Sequence, residues 1–307
     1  MKENFDFLMP SVNFFGAGVI NKIGERAKMV NMKKPLLVTD QFLEKMENGP
    51  VEQTINSLKD AQVDFAIYDG VEPNPKVRNI KEAKQVYLDN HCDGIITVGG
   101  GSAHDTGKGT GIILTNGDDI TKLAGIETLD NPLPPLIAVN TTAGTASELT
   151  RHCVITNEET HLKFVVVSWR NVPLVSFNDP KLMLGVPPKL TAATGMDTFV
   201  QAIEPYVSTN HNDITDGQCL QAIRLVEESL RYVKQLLMEK ISKRGQRWLK
   251  LKCSVEWLLI TLTLVTYTPW HTSLADNTTL LMGSVVLYCF QSWNALTLLL
   301  AQNGLPI

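Results

Sequence analysis

Gly94-Ile95-Ile96-Thr97-Val98-Gly99-Gly100-Gly101-Ser102 is the stretch that decides the fold. Gly94 to Val98 reads as a buried strand, rich in β-branched residues. Three glycines follow without a break, and a helical pattern carrying Asp105 and Lys108 begins at once. Glycines at such a turn let backbone N–H groups approach a phosphate without Cβ clashes. The helix N-terminus adds positive partial charge. The spacing is not GxGxxG, and the same turn can equally be a plain strand-to-helix connection with no ligand.

Outward from this turn, strands and helices alternate. Strands are expected at Pro35 to Asp40, Val63 to Tyr68 and Leu136 to Val139, with later ones at Lys163 to Val167 and Val172 to Ser176. Helices are expected at Val51 to Ala61 and Lys76 to Asn90. Continuous apolar strands alternating with helices imply an α/β fold with a parallel sheet covered on both faces. Prolines and a glycine punctuate the chain between Asp179 and Pro188. Beyond them the pattern turns helical, at Thr191 to Val207 and Asp213 to Val233, with Thr191 or a neighbour a candidate cap.

A second loop with ligand chemistry is Asn140-Thr141-Thr142-Ala143-Gly144-Thr145-Ala146-Ser147-Glu148. It follows a strand, and its small residues and hydroxyls suit ligand contact at a strand's carboxyl end. A polar connecting loop has the same composition. Asp40 ends its strand, where a carboxylate can bond a ribose 2′-hydroxyl and repel a 2′-phosphate, favouring NAD over NADP. Asp is also a common helix N-cap at such a position.

Taken as a set, these residues resemble the iron-dependent (group III) alcohol dehydrogenase family. The resemblance covers residues 1 to about 233. It is carried by Phe14-Phe15-Gly16-Ala17-Gly18, Glu72-Pro73-Asn74-Pro75 and Gly99-Gly100-Gly101-Ser102 with Asp105 and Lys108. Thr141-Thr142-Ala143-Gly144-Thr145 with Ser147-Glu148, Asn178-Asp179-Pro180 and Gly195-Met196-Asp197 complete it. The resemblance implies a dinucleotide-binding, Rossmann-like α/β domain followed by an all-helical domain, with NAD and iron(II) in the cleft between them. It implies reversible oxidation of small alcohols to aldehydes, a cytoplasmic location and a homo-oligomer. Asp40 would face the adenosine ribose, and Asn74 would line the cleft. Gly100, Gly101 and Ser102 would meet the pyrophosphate, with Gly99 and Asp105 in the same cofactor-binding set. Thr141, Thr142, Thr145 and Ser147 would line the cofactor site, with Lys163 near the nicotinamide ribose. Asp197 would be a metal ligand. Its expected histidine partner four residues on is Gln201, a weaker neutral oxygen donor. No catalytic residue is assigned.

The chain changes character at Lys234. From Trp257 to Ile307 the sole acidic or basic side chain, histidine aside, is Asp276, and four of the five tryptophans lie beyond residue 233. The family's later histidine segments are absent in the printed frame. Permitted codons for Val265 to Thr272, GTT ACG TAC ACG CCA TGG CAC ACC, read from the third base give Tyr-Val-His-Ala-Met-Ala-His. The same operation on Leu280 to Ser284 gives Pro-His-Gly-Val, and on Lys234 to Lys240 gives Ala-Val-Ala-Asn-Gly-Glu. All three are family segments in family order and in one constant frame. The expectation is therefore a frameshift near Lys234. The division is 1–183 dinucleotide-binding domain, 184–233 start of a helical metal-binding domain, truncated and disrupted, and 234–307 out-of-frame text.

Bulk properties add bounds. The 307 residues suffice for two domains. A net charge of −4 does not suggest nucleic acid or an anionic membrane as partner. The five cysteines show no metal spacing and read as reduced thiols. Met1 to Phe5 shows no signal-peptide pattern. Thr279 to Ala301 is long enough to span a bilayer, but polar residues interrupt or flank it and no basic residues anchor it, so no specific membrane role is expected.

Overall fold

The computed structural model describes residues 12–207 and 212–238. In chain order these form β1 (Val12–Phe15), α1 (Ile23–Met29), β2 (Pro35–Val38), α2 (Gln41–Glu44), α3 (Pro50–Asp60), β3 (Ala66–Tyr68), α4 (Val77–Asp89) and β4 (Gly94–Gly99). There follow α5 (Gly101–Thr115), β5 (Gly125–Ile126), β6 (Leu136–Asn140), β7 (His152–Asn157), β8 (Leu162–Val167), β9 (Val175–Asn178), α6 (Pro188–Val207) and α7 (Asp213–Met238). The N-terminal pentapeptide and the apolar stretch from Trp257 onward lie outside the described residues. Among the described residues no helix is long and apolar enough to cross a membrane.

Six strands form one sheet in the order β1-β9-β6-β4-β2-β3, and every pairing is parallel. Alternation along each strand explains the layers. Leu37, Ile96, Val98, Ile137, Val139 and Phe177 pack with Ile23, Val51 and Leu58 of α1 and α3 on one face. Leu36, Val38, Ile95 and Leu136 pack with Ala83 and Ala103 of α4 and α5 on the other. Side chains one residue apart thus point to opposite helix layers. Burial on both faces is why these strands read as unbroken apolar runs.

Strand order positions the groove. After β2 the chain moves outward to β3, and after β4 it moves the other way to β6. The loops leaving β2 and β4 therefore diverge, which opens a crevice at the carboxyl ends of neighbouring strands. The strand at 162–167 does not join this sheet. It pairs antiparallel with β7 and parallel with β5 in a separate three-stranded sheet. That sheet packs its Cys153, Ile155 and Val166 against Ile112 and Ile113 of α5.

The helical part begins earlier than its first expected cap. Helix α6 starts at Pro188, and Thr191 donates its hydroxyl to the Pro187 carbonyl at 3.1 Å from inside the first turn. Proline at the first position, where no N–H is needed, starts this helix instead of a threonine cap. Helix α7 packs on α6 through Ala202, Cys219, Ala222 and Val226, and its backbone continues past Lys234 to Met238.

Candidate functional site

The carboxyl ends of β4, β6 and β9 are level: Gly99 pairs with Asn140, and Asn140 with Asn178. Above this edge lies a groove of about 1030 Å³, bounded by the loops after β2, β3, β4 and β6, by β7 and β8, and by α6.

One wall is the glycine turn. A Cβ on Gly100 would lie 2.8 Å from the Thr142 hydroxyl oxygen, and one on Gly101 would lie 2.8 Å from that of Thr145. With no side chains in the way, the N-terminal turn of α5 packs directly against these two threonines, and together they form one wall of the groove. A phosphate group resting on that wall would meet backbone N–H groups on one side and O–H donors on the other. Thr142 is itself held by its N–H, which donates to the Asn140 side-chain oxygen at 3.1 Å.

At one end of the groove, Asp40 lines the wall with Gln41 and Phe42. Its Oδ1 also caps α2, accepting from the N–H groups of Phe42 and Leu43 at 2.9 Å each. The same carboxylate thus caps the helix and lines the groove. Across the groove, Lys163 of β8 donates to the Asn74 side-chain oxygen at 2.7 Å, and Asn74 holds a left-handed backbone with φ 56°. This bond joins the loop after β3 to the β7–β8 hairpin.

Beneath the groove is a buried charge network. Lys108 is completely buried. Its ammonium donates to the carbonyls of Ser147 at 2.6 Å, Thr150 at 2.8 Å and His152 at 2.8 Å, with the Ser147 and Thr150 hydroxyls at 3.1 and 3.2 Å. The Ser147 hydroxyl in turn donates to Asp105 Oδ1 at 2.7 Å, while the Val154 N–H reaches Oδ2 at 3.3 Å. Burial pushes both Lys108 and Asp105 toward their neutral forms, and their mutual attraction opposes this. Three carbonyl acceptors call for all three ammonium protons, so the pair stays charged.

Two further titratable groups sit nearby. Burial lifts the Glu148 carboxyl to about 7; its Oε1 accepts from Asn140 at 3.0 Å, and its Oε2 has no partner. Burial, and then the Lys108 charge, pull His104 down to about 3, so its ring is neutral beside the Thr97 hydroxyl at 2.7 Å.

The groove gathers most of the residues expected from sequence: Asp40, Asn74, Gly100, Gly101, Ser102, Asp105, Thr142, Thr145, Ser147, Lys163, Asp197 and Gln201. Gly99 and Thr141 stand one layer back, joined by a 3.0 Å bond from the Thr141 N–H to the Gly99 carbonyl. Phe42, Thr150, His152 and Leu190 also line it. The turn motifs pointed to none of these four. The one available signal was a β-branched run at Val154 to Thr156, which extends the wall.

The metal position fits less well. Asp197 and Gln201 both line the groove from α6. Among the described residues no three His, Cys, Asp or Glu side chains are grouped to hold a metal ion. The donor-lined glycine and threonine wall therefore suits the phosphates of a dinucleotide, while the described donor set does not fit iron.

Comparison with known proteins agrees with this geometry. Residues 10–180 match the model of the iron-containing alcohol dehydrogenase family, and residues 191–241 match the C-terminal model of the Fe-containing alcohol dehydrogenase family. The chain is 56% identical over 227 residues to 1,3-propanediol dehydrogenase of Citrobacter freundii, covering 74% of this chain and 59% of that protein. It thus spans well under two thirds of this curated relative. Among solved structures it is similar to an alcohol dehydrogenase from Oenococcus oeni, with 66% identity and a TM-score of 0.78 over 86% of this chain and 67% of that one. A sulfoacetaldehyde reductase from Bifidobacterium kashiwanohense, solved in complex with NAD+, has 29% identity and a TM-score of 0.74 over 87% and 69% of the two chains. With more than half of its residues matched by the first of these family models, the chain belongs to the iron-containing alcohol dehydrogenases.

Proposed function

We propose that the groove binds NAD and that the reaction it descends from is reversible oxidation of a small alcohol to an aldehyde. The observation that carries the reading is the groove wall where Gly100 and Gly101 pack directly against Thr142 and Thr145. In such a site NAD supplies the hydride acceptor. The chain's own residues position it. Gly100 to Ser102 and the two threonines hold the phosphates, Asp40 takes the ribose hydroxyls, and Lys163 with Asn74 closes the opposite wall. Small alcohols and aldehydes are the substrate class of the relatives by name, which supports the same class here. We place the protein in the cytoplasm, as a homo-oligomer.

We further propose that this chain is impaired as a dehydrogenase. Residues 1–183 form the nucleotide domain and 184–233 the start of the helical domain. From Lys234 on, the text is read out of frame. The match to the C-terminal family model runs to residue 241, close to that break. Sequencing the DNA across the Lys234 codon tests the frame; an intact frame with no Tyr-Val-His in its neighbour sinks it. A catalytically inactive NAD-binding protein is the second reading, favoured by Gln201 beside Asp197.

Titration of the purified chain with NAD and NADP tests the binding. NAD is expected to bind, and NADP at least roughly tenfold more weakly, because the Asp40 carboxylate repels a 2′-phosphate. Asp40→Asn keeps the helix cap and should narrow that gap. Absence of NAD binding would remove the reading altogether. Turnover of a primary alcohol with NAD by iron-loaded protein would overturn the impairment alone.

A further inference from the structure

Asp197 and Gln201 sit one turn apart on α6, so they share a face of the helix. Both line the groove, and Gln201 is only 8% exposed. Burial raises the Asp197 carboxyl and the neighbouring Gln201 amide opposes that rise, so the amide lies beside the carboxylate. A carboxylate only accepts, so the amide turns its N–H end toward it.

We infer that Gln201 closes the metal position of this chain by setting a neutral amide beside the Asp197 carboxylate, where a second donor to a cation would stand. Two physical reasons carry this. First, an imidazole would bring a nitrogen lone pair to the ion, whereas an amide that donates its N–H to the neighbouring ligand has only a weak carbonyl oxygen left. Second, the N–H end of the amide carries positive partial charge and disfavours a cation at the same carboxylate. Glu204, one further turn along, is near enough to feel the Asp197 charge. Even so, no group of three acidic, histidine or cysteine side chains forms among the described residues. The sequence from 239 onward adds as possible ligands only His271, Glu239, Glu256, Asp276, Cys253 and Cys289. Gln201 is thus a specificity-determining residue against transition metals. The pair on α6 would close the position whether or not the groove holds NAD.

The test is titration of the chelator-treated full chain with Co(II), followed by its visible d–d absorption, with Mn(II) followed by electron spin resonance alongside. The wild type is expected to show no saturable Co(II) or Mn(II) signal that Asp197→Asn removes. Gln201→His, which places an imidazole one turn from Asp197, is expected to raise Co(II) affinity roughly tenfold or more. Stoichiometric Co(II) on the wild type, lost in Asp197→Asn, would overturn the inference. So would Mn(II) bound in the same way, since the pair would then be a hard-cation site. A folded Gln201→His protein that binds Co(II) no better than wild type would also overturn it. Should that variant not fold, the wild type and Asp197→Asn titrations decide alone.

Discussion

The Lys108 ammonium lies 2.6 Å from the Ser147 carbonyl oxygen, tying the third turn of α5 to the loop that follows β6. The same nitrogen reaches the Thr150 and His152 carbonyls. One buried cation therefore fixes the path of the chain from the phosphate loop into β7.

Lys108→Met should destabilise the protein by roughly 3–5 kcal/mol, because it leaves Asp105 as an unpaired buried charge and strands three carbonyls. Lys108→Arg should not restore stability, since a planar fork cannot aim at acceptors gathered round a point donor. Urea midpoints of the three proteins check this. A loss under about 1 kcal/mol in Lys108→Met would contradict the account.

Gly101→Ala should weaken NAD binding by about tenfold or more. The new methyl would sit 2.8 Å from the Thr145 hydroxyl oxygen and 3.0 Å from its methyl, and so displace that side chain from the groove wall. Gly117→Ala is the opposite control. It has φ +111° with open space around its Cβ, so strain should lower stability and leave nucleotide affinity unchanged. Isothermal titration of both variants separates the two effects.

Stability should respond to pH through two buried groups of opposite sign. Glu148 has its carboxyl raised from 4.5 to about 7, so the folded state holds a proton that the unfolded state releases. Its stabilising contribution is present below about 4.5 and lost as pH rises to about 7, by up to about 3 kcal/mol. His104 is lowered from 6.5 to about 3, so its contribution is present above 6.5 and lost as pH falls toward 3. Between about 4.5 and 6.5 the two slopes oppose one another. Glu148→Gln removes one of them, so its urea midpoint should fall more steeply on acidification through that window than the wild type's. Parallel profiles for the two proteins would show that Glu148 does not titrate there.

Much of the α/β part was legible in the sequence for a physical reason. Strands buried on both faces, such as Leu36 to Val38 and Ile95 to Val98, must be apolar throughout, and their glycine turn is chemically conspicuous. Asp40, Asn74, the glycines, Thr142, Thr145 and Lys163 followed from loop chemistry and family resemblance. Strand β7 was missed because its apolar residues alternate with partly polar ones beside the groove, and β5 has only two residues. Lys108 was visible on its helix, but its burial was not. That depends on carbonyls about forty residues later in the chain, which no local pattern encodes. The pairing of Asp197 with Gln201 followed from their spacing, but the near-complete burial of Gln201 did not.

Strand β1 pairs with β9, so residues near the start of the described chain meet residues near 175. Gly18 donates its N–H to the Asp179 carboxylate across the same gap at 2.6 Å. During synthesis the sheet edge at β9 stays open until that late strand emerges. Long-range pairing of this kind slows folding and exposes the waiting edges. Yet each partner in the six-stranded sheet has been made by Asn178. Every strand the sheet requires therefore precedes, by some fifty codons, the point at Lys234 where the chain changes character.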